Sequence, residues 1–310
     1  MLLLDLTLDS PAENLALDEA LLLAAESGAQ AEEVLRLWEP RQFMIVLGSS
    51  SRMLKEVRLA NTRQRRIEIL RRSSGGAAVM AGPGCLMYAL VLDRRRRAEL
   101  RGIDTTHRWV LDRLVAALAP LVPGVACRGT SDLVLSPIQE LPEEKGTGTF
   151  CTDSTYAADS AKGASPLPAD SAKGDSPRPA ERGTGTFSSV LPGSQEPPDS
   201  GKGASSLARK FSGNSLRVKR DWLLYHGTLL YDFPLPLLGT CLGTPPRQPA
   251  YRDGRRHVEF VANLPLAAPA LRTAIAATFD AREPLTAWPA ALTAQLAAEK
   301  FTRDEWTYRL

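Results

Sequence analysis

Cysteine is scarce in this chain. There are four in 310 residues, Cys85, Cys127, Cys151 and Cys241, and no two form a C-x-x-C pair. That spacing argues against the common structural zinc sites. It also argues against a disulfide scaffold, which belongs to small, cysteine-dense chains. No apolar run approaches the ~20 residues of a membrane span. The start, Met1-Leu2-Leu3-Leu4-Asp5, lacks a basic region and meets an acid early, so it does not read as a signal peptide. The formal charge of +3 is too small to argue for nucleic acid. The expectation is a globular protein of the reducing cytoplasm, with no membrane or nucleic-acid partner. A content of 44% apolar and 24% charged residues fits that class.

What is present is concentrated in two segments. The first is Arg71-Arg72-Ser73-Ser74-Gly75-Gly76-Ala77, followed by Gly82-Pro83-Gly84 and Tyr88. The second is Arg209-Lys210-Phe211-Ser212-Gly213-Asn214, followed by His226-Gly227-Thr228-Leu229. Each sets backbone free of side chains beside a fixed positive charge, an arrangement suited to an anionic ligand. Arginines also cluster at Arg63, Arg65 and Arg66 and at Arg94 to Arg97. These read as solvated surface or as docking for an acidic partner.

Residues 137–207 differ in kind. They are rich in Pro, Gly, Ser, Ala and Asp, and they repeat: Lys145-Gly146-Thr147-Gly148-Thr149-Phe150 recurs as Arg182-Gly183-Thr184-Gly185-Thr186-Phe187. Such a segment buries too little surface to offset its ordering entropy, which predicts a disordered insertion. Removing it leaves a single catalytic domain, residues 1–136 with 208–264, and an Ala-rich, mostly helical tail over 265–310. The insertion then sits at a turn between two strands, Ser131 to Leu135 and Arg209 to Ser212, where added length costs little.

Ser10-Pro11-Ala12-Glu13 is a helix start, with Ser as N-cap and Glu three residues on. Apolar spacing predicts a second helix over Thr105 to Leu121. Strands are predicted at Leu2 to Leu8, Val34 to Trp38, Phe43 to Leu47, Glu68 to Leu70 and Thr228 to Phe233. Ala77 to Met80 and Leu86 to Leu92 read as a hairpin around Gly82-Pro83-Gly84.

These motifs, in this order, resemble the lipoate–protein ligase A family, within the biotin/lipoate ligase and octanoyltransferase superfamily. The matching marks are Asn14-Leu15-Ala16-Leu17-Asp18-Glu19, Arg71-Arg72 with Ser74-Gly75-Gly76, Gly82-Pro83-Gly84, Lys210 with Ser212-Gly213, and His226-Gly227-Thr228-Leu229. The resemblance implies an α/β (α+β) fold around a mainly antiparallel central sheet flanked by helices. It implies activation of lipoate or octanoate by ATP and Mg²⁺ to an acyl-adenylate. The acyl group then passes to a lysine of a carrier, the lipoyl domain of a 2-oxoacid dehydrogenase E2 or the glycine cleavage H protein.

In that reading Lys210 is catalytic: its ammonium holds the carboxylate and stabilises charge in transfer. The substrate-binding set is Arg71, Arg72, Ser74, Gly75, Gly76, Ala77, Gly82, Gly84, Tyr88, Ser212, Gly213 and Asn214. Arg72 either holds phosphate or supports its loop. Asp132 is either a Mg²⁺ ligand or a structural strand residue. His226 reads as a hydrogen-bonded structural residue rather than a general base.

Two departures open alternatives. Ala77 stands where the family usually has a third glycine. Only about 46 residues follow Leu264, fewer than a typical domain of ~100, and the accessory domain that often assists adenylation is not evident. Cys127-Arg128-Gly129-Thr130-Ser131-Asp132-Leu133 resembles the segment bearing the nucleophile of octanoyl and lipoyl transferases. The alternatives are therefore an ATP-independent transferase using a Cys127 thioester, with no cofactor, and a non-catalytic acyl- or carrier-binding homologue.

Overall fold

A computed structural model describes residues 1–137 and 207–310. The reading of the repeat-rich segment as a disordered insertion falls on residues outside these. Among the described residues, no helix is long and apolar enough to cross a membrane.

Strand β1 (Leu2–Asp5) leads into α1 (Pro11–Glu26). Ser10 caps that helix by accepting from the Glu13 N–H, with Pro11 in the first turn. Asn14 ties the helix to the preceding loop: its amide accepts from Leu8 N and donates to the Leu8 and Ser10 carbonyls. Then come β2 (Val34–Trp38), β3 (Met44–Leu47), α2 (Met53–Glu56), α3 (Leu59–Gln64), β4 (Glu68–Arg71), β5 (Val79–Ala81), β6 (Cys85–Asp93) and α4 (Ile103–Leu118). After α4 the chain forms β7 (Val125–Arg128), β8 (Asp132–Leu135), β9 (Arg209–Val218), β10 (Trp222–Leu230), α5 (Pro236–Cys241) and α6 (His257–Phe260). It closes with α7 (Ala268–Thr278), β11 (Glu283–Pro284), α8 (Ala290–Leu296), a π-helical turn (Ala297–Phe301) and α9 (Asp304–Thr307).

Eight strands form one sheet in the order β11-β1-β2-β6-β10-β9-β8-β7. Only the β11–β1 and β1–β2 pairs are parallel. The sheet is covered on both faces, so β6 is buried at all nine positions. Leu86, Tyr88, Leu90 and Leu92 meet α4 and α7 on one face, and Ala89 and Val91 meet α1 on the other. A second, three-stranded sheet has the order β4-β3-β5.

The expected hairpin does not form. β5 pairs with β3 in the small sheet, and β6 pairs with β2 and β10 in the large one. Gly82-Pro83-Gly84 carries the chain from one sheet to the other. A Cβ on Gly82 would lie 2.2 Å from the Phe43 ring. Gly84 has φ +85°, and its Cβ would meet the Asp232 carbonyl oxygen at 2.2 Å. The two glycines are there for close packing, not for a two-residue β-turn.

The tail does more than append helices. Leu271, Ile275 and Phe279 enter the core beneath α4, and Phe301 enters the core around the small sheet. Glu283–Pro284 adds an edge strand that the sequence reading did not contain.

Candidate active site

Lys210 is placed by a defect in the sheet. Along β8, Leu133 faces Ser212 but Val134 faces Lys210, so Phe211 is the extra residue of a β-bulge. In a regular strand Lys210 and Gly213, three residues apart, would point to opposite faces. The bulge turns Phe211 into the α4 core and brings Lys210 and Gly213 to the same face. The Lys210 stem then lies over Gly213, where a Cβ would sit 2.8 Å from Nζ and 3.0 Å from Cε. Its ammonium is 2.6 Å from Asp132 Oδ1, and Tyr251 donates to Asp132 Oδ2 at 2.8 Å. Burial, then the Asp132 charge and hydrogen bond, push the Tyr251 phenol well up.

Further cations converge nearby. Burial and then repulsion from Arg252, Arg58 and Lys210 hold His257 down to about 4. Arg58 and Arg252 thus add positive charge near the Lys210–Asp132 pair.

The glycine loop is held from many sides. Arg72 is buried and donates from Nη2 to the Gly75 and Ala77 carbonyls and from Nη1 to Val46 O. Burial pulls its guanidinium down to about 10. Glu56 accepts from Ala78 N at 2.6 Å, and Ser51 Oγ lies 3.1 Å from the Gly76 carbonyl. Arg217 donates to Ser73 O and Ser49 N to Ser74 O. Gly48 makes room, because a Cβ there would collide with Gly76 O at 1.9 Å. Gly76, at φ +93°, and Ala77 stay exposed at the tip.

Behind the loop runs a chain of polar contacts. Ser74 Oγ is 2.8 Å from Ser215 Oγ and 2.6 Å from His226 Nε2. His226 Nδ1 lies 3.5 Å from Asp18 Oδ2. Asp18 Oδ1 is bound by the fully buried Arg36 at 2.6 Å. Arg36 also donates to Asn14 and to the Leu6 carbonyl.

A family model for the lipoyl protein ligase A/B catalytic domain matches residues 10–268. The chain belongs to that family. A search of curated proteins found no match. Among solved structures, the chain resembles a bipartite lipoate protein ligase of Thermoplasma acidophilum, solved in work that also covers its E2 lipoyl domain, with TM-score 0.65 and 18% identity over 99% of this chain and 95% of that one. It resembles a lipoate-protein ligase A bound with ATP at TM-score 0.62 and 18% identity, covering 99% and 98%. It resembles P. falciparum LipL1 in complex with lipoate at TM-score 0.59 and 14% identity, covering 99% and 73%. At these identities the structural likeness establishes the fold.

Within this lipoyl ligase fold, the expected site residues divide between the two faces of the sheet. Ser74, Gly213, Lys210 and Asp132 gather on the face of α1 and the glycine loop. Cys127 does not join them. It is opposite Leu133 in the β7–β8 ladder and packs with it against the α4 core, while Asp132, the next residue along β8, points the other way. Tyr88 and Asn214 also lie on the α4 side, joined by a 2.5 Å hydrogen bond across Gly227, whose Cβ would strike Asn214 Oδ1 at 1.8 Å. Ser212 is buried and 3.2 Å from Asn214 Nδ2. These three form one hydrogen-bonded cluster on that face.

Arg71 is enclosed. It donates to the Gly48, Ser51 and Thr307 carbonyls, and Trp306 Nε1 donates to its own carbonyl. That arrangement latches the tail to the loop after β3. Asp132, the expected Mg²⁺ ligand, is bound by Lys210 at Oδ1 and by Tyr251 at Oδ2. Among the described residues, no group of three or more His, Cys, Asp or Glu side chains is placed to hold a metal.

Sequence reasoning missed Ser215, Arg217, Glu56, Asp18 as a partner of His226, and Tyr251 as a partner of Asp132. One signal was available for the buried network: Arg36 interrupts an otherwise apolar strand, Val34-Leu35-Arg36-Leu37-Trp38.

Proposed function

We propose that this family member is a lipoate–protein ligase that uses ATP. Lipoate or octanoate and ATP form an acyl-adenylate and pyrophosphate. The carrier lysine then attacks the acyl carbon and AMP leaves. The observation that carries this reading is the placement of Lys210: a fixed ammonium, beside the exposed glycine loop, on a face from which Cys127 is turned away. Lys210 holds the acid's carboxylate and then opposes the charge that develops on the carbonyl and phosphate oxygens. Arg58, Arg252 and Lys210 all bear on His257, and that local positive charge favours an anionic ligand. The relatives solved with ATP and with lipoate support the same ligands here. Mg²⁺ would ride chiefly on the nucleotide phosphates, and no step is assigned to it.

The carrier is a lipoyl domain of a 2-oxoacid dehydrogenase or a glycine cleavage H protein, in keeping with the E2 lipoyl domain treated alongside the Thermoplasma relative. The test is intact-mass measurement of a purified lipoyl domain after incubation with lipoate or octanoate, ATP and Mg²⁺. Modification under those conditions supports the ligase. Modification only from octanoyl-loaded acyl carrier protein, without ATP, overturns it in favour of a transferase.

A further inference from the structure

The hydroxyl chain behind the glycine loop can be given directions by elimination. Asp18 Oδ2 lies 3.5 Å from His226 Nδ1, too long for a hydrogen bond, and its negative charge favours the tautomer with the proton on Nδ1. In that tautomer Nε2 is a bare acceptor, and Ser74 Oγ, 2.6 Å away, donates to it. Ser74 has two lone pairs left. Arg72 Nε donates to one at 3.1 Å, and Ser215 donates to the other at 2.8 Å. Ser74 is fully committed and only 1% exposed, so it meets a ligand only through Ser215. Ser215 is partly exposed and lies on the face of Gly213, one strand repeat of about 6.6 Å further along β9. Lys210 Nζ lies over Gly213.

The carrier lysine must lose a proton as it attacks, and the ligase reading leaves that proton without an acceptor. We propose that Ser215, Ser74 and His226 form the relay that takes it, an inference that rests on transfer to a lysine at this site. As the carrier nitrogen bonds to the acyl carbon and the bond to the AMP oxygen breaks, the amine proton passes to Ser215 Oγ. Ser215 passes its own proton to Ser74, and Ser74 passes its own to His226 Nε2. AMP leaves with the electron pair, and the imidazolium is balanced by Asp18, which Arg36 holds in place. Arg72 keeps Ser74 in line throughout. Ser215 touches the substrate, while Ser74 and His226 act through it.

The two half-reactions separate this role from a structural one. Adenylate formation is followed by pyrophosphate exchange into ATP, and transfer is followed from preformed lipoyl-adenylate to a lipoyl domain. Ser215→Ala and His226→Gln should each slow transfer roughly 100-fold, within the usual reach of general-base catalysis, and leave exchange close to wild type. Ser215→Thr, which keeps the hydroxyl, should restore transfer. Ser215 is partly exposed, so its variants keep the test open if His226→Gln fails to fold. Transfer at the wild-type rate in Ser215→Ala, or an equal loss of both half-reactions, overturns the relay. Absence of exchange in the wild type instead removes the ligase reading, and the same variants then report on the relay with octanoyl thioester as donor.

Discussion

Lys210 Nζ occupies the space that a side chain on Gly213 would fill, the two brought to one face by the bulge at Phe211. The glycine is therefore a positioning device for the ammonium. Gly213→Ala should displace Lys210 and lower transfer roughly 10²-fold, the cost of a misplacement of about 1 Å. The methyl group meets only the end of a flexible side chain, so the thermal midpoint should hold. A variant that keeps full activity would show that the lysine is not tied to this position.

Removal of Lys210 itself tests its charge. Lys210→Ala leaves Asp132 with Tyr251 and about the same packing, so the fold should persist while product formation falls by about 10²–10³-fold. Lys210→Arg keeps the charge but not the compact ammonium and should restore little. Steady-state transfer rates beside a thermal melt distinguish loss of chemistry from loss of fold.

Cys127 faces the α4 core, so Cys127→Ser should leave the transfer rate unchanged. Loss of activity with an intact melt would place the thiol in the reaction.

Arg71 carries a structural load. Arg71→Met removes donors to three buried carbonyls and frees the latch to Thr307. Unfolding in urea should show a loss of about 2–4 kcal/mol. Protease cleavage within residues 300–310 should increase in parallel.

His257 makes stability depend on pH. Its folded value of about 4 lies below the unfolded value near 6.5. Between these values the unfolded chain binds more protons, so stability rises with pH across the window and is lost as pH falls from 6.5 toward 4. His257→Gln should flatten that part of the curve of midpoint against pH, and an unchanged slope would assign the dependence to other groups.

Much of the frame is legible in the sequence because it is local. Ser10-Pro11 starts a helix, β2 falls where its apolar run predicts, and the separated glycine motifs carry the family. Strand partnership is not local, which is why Gly82-Pro83-Gly84 reads as a hairpin turn yet joins two sheets. Site membership depends on sheet face. One extra residue at Phe211 decides that Lys210 shares a face with Gly213, and one step along β8 separates the faces of Asp132 and Leu133. The buried Arg36–Asp18–His226 network joins α1, β2 and β10, and no spacing rule relates residues on three elements.

Acyl transfer to a purified lipoyl domain, read by intact mass in two parallel reactions, separates ligase from transferase. One holds lipoate or octanoate with ATP and Mg²⁺, and the other holds octanoyl-loaded acyl carrier protein without ATP. A ligase modifies the domain in the first reaction and leaves it unmodified in the second. Modification in the second alone, abolished by Cys127→Ser, would contradict the ligase reading.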